Sequence, residues 1–214
     1  MLPIRFKPFI GTEYNKQNFK ILILGESHYL NGSDFTDYLN GDIKVELITN
    51  NVVNGYLNYK KTGKHYANWM NTFTKFSNVL YGKKSSIKDT VEFWQSSSFY
   101  NYVQAPTKGP RTSPSKEEFK LSFDALKEVV EEIKPNLIFF WGYRLWDNFP
   151  KENYGSLKNG NDKIHFLKFS YNLPIMVVPH PSSSKFNYGI KDEIEKYRNA
   201  VKTMGNSHFD IAGV

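Results

Sequence analysis

Two short segments concentrate the side chains that can do chemistry. The first, Gly25-Glu26-Ser27-His28-Tyr29, sets a carboxylate, a hydroxyl, an imidazole and a phenol side by side. The second, His180-Pro181-Ser182, holds another imidazole and another hydroxyl. An imidazole titrates close to neutral pH, so it serves as a general acid, a general base or a neutral hydrogen-bond donor. A serine hydroxyl attacks when a base takes its proton, and otherwise orients a water or a ligand.

The elements before these segments explain how they meet. Ile21-Leu22-Ile23-Leu24 precedes the first and Ile175-Met176-Val177-Val178 precedes the second. Unbroken apolar runs of this length read as strands buried on both faces of an α/β sheet. Gly25 permits a sharp turn after the first run, and ligands in such sheets sit at the carboxyl ends of strands. Two buried strands that each deliver a histidine to that edge form the two halves of one site.

Core strands are expected at Lys20–Leu24, Phe99–Val103, Leu137–Trp141 and Ile175–Val178, with a weaker strand at Ile164–Phe169. Apolar residues at helical spacing predict helices over Asn68–Tyr81, from Ser115 to about Ile133, over Tyr143–Phe149 and over Asp192–Met204. Residues 1–19 read as an irregular lead-in. Residues 30–66, rich in Asn, Gly, Thr and Tyr, read as a long irregular insertion with short helical pieces. Gln104–Pro114 holds three prolines and a glycine and reads as a loop. Strand and helix alternate. The fold class expected is α/β: a three-layer α/β/α sandwich with a mainly parallel four-stranded central sheet, as one domain over residues 1–214.

Composition narrows the function classes. The 28 Lys+Arg against 21 Asp+Glu give a formal charge of +7, which permits a polyanionic partner. The chain has no cysteine, so disulfides, thiolate metal sites and iron–sulfur clusters are excluded. Met1–Lys7 lacks the apolar core of a signal peptide, and no apolar run reaches membrane-spanning length. A cytoplasmic monomer without membrane contact is expected. No zinc spacing, P-loop or dinucleotide fingerprint appears, and neither metal nor cofactor is expected.

Taken in order, the segments resemble the uracil-DNA glycosylase superfamily. Gly25-Glu26-Ser27-His28-Tyr29 resembles the family's first motif, written GQDPY in one branch and GEAPG in another. His180-Pro181-Ser182 resembles its second motif, HPS or HPA. Phe99-Tyr100-Asn101-Tyr102-Val103-Gln104-Ala105-Pro106, with Gly109, Arg111 and Pro114, resembles the TNVVKCRPP-GNR-P segment of the iron–sulfur branch. The likeness covers roughly residues 20–29 and 98–200. That branch needs four cysteines and this chain has none, so the resemblance extends to the fold without the cluster.

The resemblance implies hydrolysis of an N-glycosidic bond of uracil or a related damaged base, flipped out of DNA. His180 would stabilise the leaving base anion. Asn101 would read the Watson–Crick edge, since an amide offers donor and acceptor together. Glu26 occupies the position whose backbone amide helps bind the base, and Gly25 and Ser182 complete the two motifs. Ser27 stands where the efficient branch has aspartate and the cluster branch has alanine, and would position the water. His28 replaces proline and brings a second base or donor. Tyr29 matches the tyrosine that blocks the thymine methyl. Phe35, Tyr38 or Trp69 would stack on the base. Lys108, Arg111, Lys116 and Lys185 would contact phosphates, with Phe186 or Lys185 as the wedge that fills the vacated stack.

Two other readings stand beside this one. Leu24-Gly25-Glu26-Ser27 also looks like the GDS motif of SGNH esterases, with Ser27 as nucleophile and His180 as base. That family wants an acid three residues before the histidine, where this chain has Val177. The third reading is a nucleic-acid-binding relative that keeps the glycosylase fold without its chemistry.

Overall fold

The computed structural model describes residues 5–30, 32–109, 112–159 and 162–204. Seven strands form one mixed sheet: β1 (Phe9–Ile10), β2 (Ile21–Tyr29), β3 (Ser98–Thr107), β4 (Leu137–Trp141), β5 (Tyr154–Asn159), β6 (Asp162–Lys168) and β7 (Asn172–Val178). Their spatial order is β1-β3-β2-β4-β7-β6-β5. The expected sheet of four strands is therefore corrected to seven. The strands expected at the core form its contiguous middle, β3-β2-β4-β7, and pair in parallel. β1 adds antiparallel at one edge, and the β5–β6 hairpin adds antiparallel at the other. Neither end carries a continuous apolar run: β1 has two residues, and β5 mixes half-buried with exposed positions.

Eight α-helices are present among the described residues: α1 (Gly32–Asn40), α2 (Ile48–Thr62), α3 (Met70–Tyr81), α4 (Ile87–Gln95), α5 (Lys116–Leu121), α6 (Phe123–Ile133), α7 (Tyr143–Asn148) and α8 (Lys191–Met204). Alternate strand residues feed two separate cores. Ile21, Ile23, Phe99, Leu137, Phe139 and Met176 pack with α2, α3, α4 and Ile194 of α8. Leu22, Leu24, Tyr100, Ile138, Phe140 and Ile175 pack with α5, α6 and Leu145 of α7. Burial on both faces is why these strands read as unbroken apolar runs.

Three local expectations are corrected. Residues 30–66 are not irregular, because α1 and α2 occupy much of that stretch. Val53, Tyr56 and Leu57 of α2 are buried at helical spacing, and that burial outweighs the weak helix propensity of Asn50, Asn51, Asn54 and Gly55. The strand after Ser98 does not stop at Val103 but runs to Thr107, so part of the expected loop is strand. The expected helix from Ser115 to Ile133 is two helices that meet at Ser122. Ser122 Oγ donates to the Glu118 carbonyl at 2.7 Å and accepts the Gln104 N–H at 3.0 Å, which ties the break to β3.

The crossovers place a crevice. β2 is followed in the sheet order by β3 on one side, while β4 lies on its other side and leads on to β7. Connections that depart in opposite directions open a cleft at the carboxyl ends of the two strands between them. Here those strands are β2 and β4. Among the described residues no helix is long and apolar enough to cross a membrane.

Candidate functional site at the carboxyl edge of the sheet

A cavity of about 860 Å³ lies at this edge. It collects the first motif, Gly25 through Tyr29, from β2, Asn101 from β3, Gly142 to Leu145 after β4, and His180, Ser182, Ser183 and Lys185 after β7. Phe73 and Trp69 reach it from the α3 side, with Phe99 and Trp141 from the sheet. Phe73 packs 5.1 Å from Phe99 and 5.5 Å from Trp141, ring centre to ring centre, which gives the cavity an aromatic wall. Trp141 Nε1 is buried without a hydrogen-bond partner. Among the described residues no three His, Cys, Asp or Glu side chains gather to hold a metal ion.

Gly25 does not make the expected turn. β2 continues through it to Tyr29 and stays paired with β3, Gly25 standing opposite Asn101. The glycine is there for close approach: a Cβ at this position would lie 2.1 Å from Asn101 Oδ1. Any larger residue would displace the amide from the cavity wall. The pairing register shifts between Ser27 and Tyr29, and there His28 turns toward Asn101.

His28 is not an accessible second base, which corrects that expectation. It is buried, its Nδ1 lies 3.0 Å from Asn101 Nδ2 and its Nε2 lies 2.8 Å from Thr49 Oγ1. Burial pushes its pKa down to about 3. A neutral, doubly hydrogen-bonded imidazole supports Asn101 instead of meeting a ligand directly.

Glu26 is also engaged. Arg144 Nε donates to Glu26 Oε2 at 2.7 Å, Nη2 donates to Oε1, and Nη1 donates to Ser113 Oγ at 3.0 Å. Both carboxylate oxygens are thus taken up by the guanidinium fork. Arg144 is a cavity residue that the sequence did not single out, since its partner lies 118 positions away.

His180 sits where the loop after β7 crosses Gly142. Gly142 has φ of 104°, and a Cβ there would come within 3.2 Å of His180 Cβ, so this glycine admits the histidine. His180 Nδ1 accepts the Ser182 backbone N–H at 3.2 Å and lies 2.7 Å from Ser182 Oγ. Acceptance at Nδ1 puts the neutral ring's proton on Nε2. Although the residue stays open to solvent along the cavity, the surrounding protein and then the Arg144 charge lower its pKa to about 4. The ring is thus a neutral Nε2–H donor near pH 7. In that tautomer Nε2 cannot take a proton from Ser27, and this argues against the serine-esterase pair.

The remaining expectations divide. Ser27 is half-buried and Tyr29 is exposed, both on the cavity. Trp69 lines it, while Phe35 and Tyr38 pack on each other in α1 outside it. Lys185 lines it. Lys108 is exposed between two lining residues, Thr107 and Gly109, and Lys116 is exposed at the start of α5. Arg111 lies outside the described residues. Phe186 is not a wedge: it is fully buried and stacks on Phe76 at 5.6 Å, because an apolar ring in this loop finds the core.

No protein-family model matches this chain, and no curated protein matches it.

Proposed function

We propose that the cavity holds a base flipped out of DNA and hydrolyses its N-glycosidic bond, with uracil or a related damaged base as substrate. The observation that carries this reading is the fixed His180 tautomer. Its Nδ1 is taken by the Ser182 N–H, which leaves Nε2–H as a neutral donor in the cavity that also contains the Asn101 amide. When the glycosidic bond breaks, the base takes the electron pair and charge collects on its carbonyl oxygen. A preorganised neutral donor stabilises that charge mainly in the transition state. The sugar is left cationic at C1′, water adds there, and its proton passes to solvent. Ser27 offers a hydroxyl to place that water. Asn101 offers Oδ1 to a ring N–H and its second amide hydrogen to the neighbouring carbonyl, the order that uracil presents.

The parallel order β3-β2-β4-β7, with the two motifs on β2 and after β7, supports kinship with the uracil-DNA glycosylase superfamily. Lys185 on the cavity and Lys108 beside it suit contacts to phosphates. The reading is tested by incubating the protein with oligonucleotides that carry a single uracil, hypoxanthine or other lesion, then cleaving abasic sites with alkali. Strand scission that disappears in His180→Ala supports it. Salt-dependent DNA binding without scission would assign the non-catalytic relative instead, and turnover of a p-nitrophenyl ester lost in Ser27→Ala would assign the esterase.

A further inference from the structure

Asn101 is held at both ends. Gln104 Nε2 donates to its backbone carbonyl at 3.0 Å, while Gln104 Oε1 accepts the N–H groups of Arg5 and Phe6 at 3.1 and 3.0 Å. The side chain meets His28: an amide nitrogen only donates, so at 3.0 Å from Nδ2 the Nδ1 atom is the acceptor. The imidazole proton then sits on Nε2, 2.8 Å from the fully buried Thr49 hydroxyl, which accepts it. Phe6 packs edge-on against the ring at 5.1 Å.

This chain of contacts links one proton to one rotation. Turning the Asn101 amide by half a turn would aim Oδ1 at the bare Nδ1, two acceptors with nothing between them. The turned amide is satisfied only if the imidazole proton moves to Nδ1, and Thr49 then donates to Nε2. A hydroxyl can answer either tautomer, but the two states show opposite orders of donor and acceptor to the cavity. We propose that Thr49 and His28 are positioning residues that couple the donor–acceptor order of the Asn101 amide to a single imidazole proton, and so set which base edge the cavity accepts. This rests on the base-reading role proposed for Asn101. A lactam edge, N–H beside C=O as in uracil, matches the order in the structure. An amidine edge, ring nitrogen beside NH2 as in cytosine, matches the reverse.

Thr49→Val separates the states. It leaves a buried Nε2–H without an acceptor, and an orphaned buried donor is tolerated less well than an orphaned acceptor. The proton is therefore expected to move to Nδ1 and the amide to turn. The probes are single-stranded oligonucleotides with one 2′-fluoro-deoxyuridine or one 2′-fluoro-deoxycytidine. The fluorine resists cleavage, so anisotropy reads binding alone. The native protein and Thr49→Ser should prefer the uracil probe. Thr49→Val should lose that preference by on the order of tenfold, about the worth of one buried hydrogen bond. Nitrogen NMR of His28 should show Nε2–H in the first two proteins and Nδ1–H in the third. A changed tautomer with unchanged preference overturns the coupling and leaves the base-reading role standing. Neither signal changing in Thr49→Val removes Thr49 from the unit and also overturns it. Equal binding of both probes by the native protein sinks the reading role of Asn101, and the inference with it.

Discussion

Arg144 of α7 holds Glu26 of β2 in a two-pronged ion pair on the cavity wall. The pair decides the charge that His180 meets. With Glu26 neutralised by its partner, the guanidinium still disfavours a second cation on His180. Arg144→Ala removes that repulsion. The His180 titration midpoint should rise from about 4 toward the ordinary 6.5. It should stop short of 6.5, because burial is the larger cause and remains. Arg144 is about half exposed and lies on the cavity wall outside the two cores, so the fold should persist. Proton NMR titration of the two proteins checks this. An unmoved midpoint would mean that the Arg144 charge does not reach the ring.

Phe186 separates a core residue from a DNA wedge. It is fully buried and packs with Phe76 in the core on the α3 side of the sheet. Phe186→Ala should destabilise the protein by about 3–5 kcal/mol, as large-to-small changes at buried phenylalanines do. Urea unfolding measures it. A stability loss under about 1 kcal/mol together with weakened DNA binding would restore the wedge.

These residues mark how far the sequence could be read. The four central strands were legible because burial on both faces leaves a continuous apolar run, as in Leu137–Trp141. β5 was not, since its half-exposed pattern looks like polar loop. α2 was hidden because Asn50, Asn51, Asn54 and Gly55 signal turns, while the burial that makes it helical belongs to tertiary contact. Gly25 was legible as special but for the wrong cause: it makes room for Asn101, a partner 76 positions later that pairs with it only once β2 and β3 are in register. The ends of the site, Gly25–Tyr29 and His180-Pro181-Ser182, were visible as clusters of chemistry at strand ends. Thr49 and Arg144 were not, because each acts through a contact that no local pattern encodes. Phe186 was misread because an aromatic residue among serines and lysines looks exposed.

Acid should unfold the protein partly through His28. Its pKa falls from the ordinary 6.5 to about 3 on folding. Between those values the unfolded chain binds a proton that the native state refuses, so stability rises with pH across that window. The contribution is complete above 6.5 and is lost as pH drops toward 3. The slope per histidine is about 1.4 kcal/mol per pH unit. His180 acts in the same direction between 6.5 and about 4, but more weakly, because it is open to solvent. His28→Gln keeps a polar side chain but cannot titrate, so the fall in urea stability below 6.5 should lessen by one such slope. The upper part of the window lies above the carboxylate range, so Glu131, whose pKa is held down to about 2 by Lys134 and Ser170, does not confuse the reading. An unchanged slope in His28→Gln would show that His28 takes up its proton in the folded state.

The last expectation concerns rate. In the proposed reaction the departing base carries the developing charge, and His180 Nε2–H meets it. His180→Ala should therefore lose on the order of 100- to 1000-fold in single-turnover excision, the usual effect of removing one anion-stabilising donor. Ser27→Ala should lose far less, since a hydroxyl only places the water and cannot take its proton as a carboxylate would. Ser27→Asp supplies that carboxylate. Ser27 stands half-buried on the cavity beside buried His28, so the added group reaches solvent without entering the core. The rate should then rise above that of the native protein. The three variants are compared on single-stranded DNA that contains uracil, under enzyme excess so that product release does not intrude. Full rate in His180→Ala with none in Ser27→Ala would reverse the assigned roles. A slower Ser27→Asp would show that a carboxylate at this position does not act as the base for the attacking water.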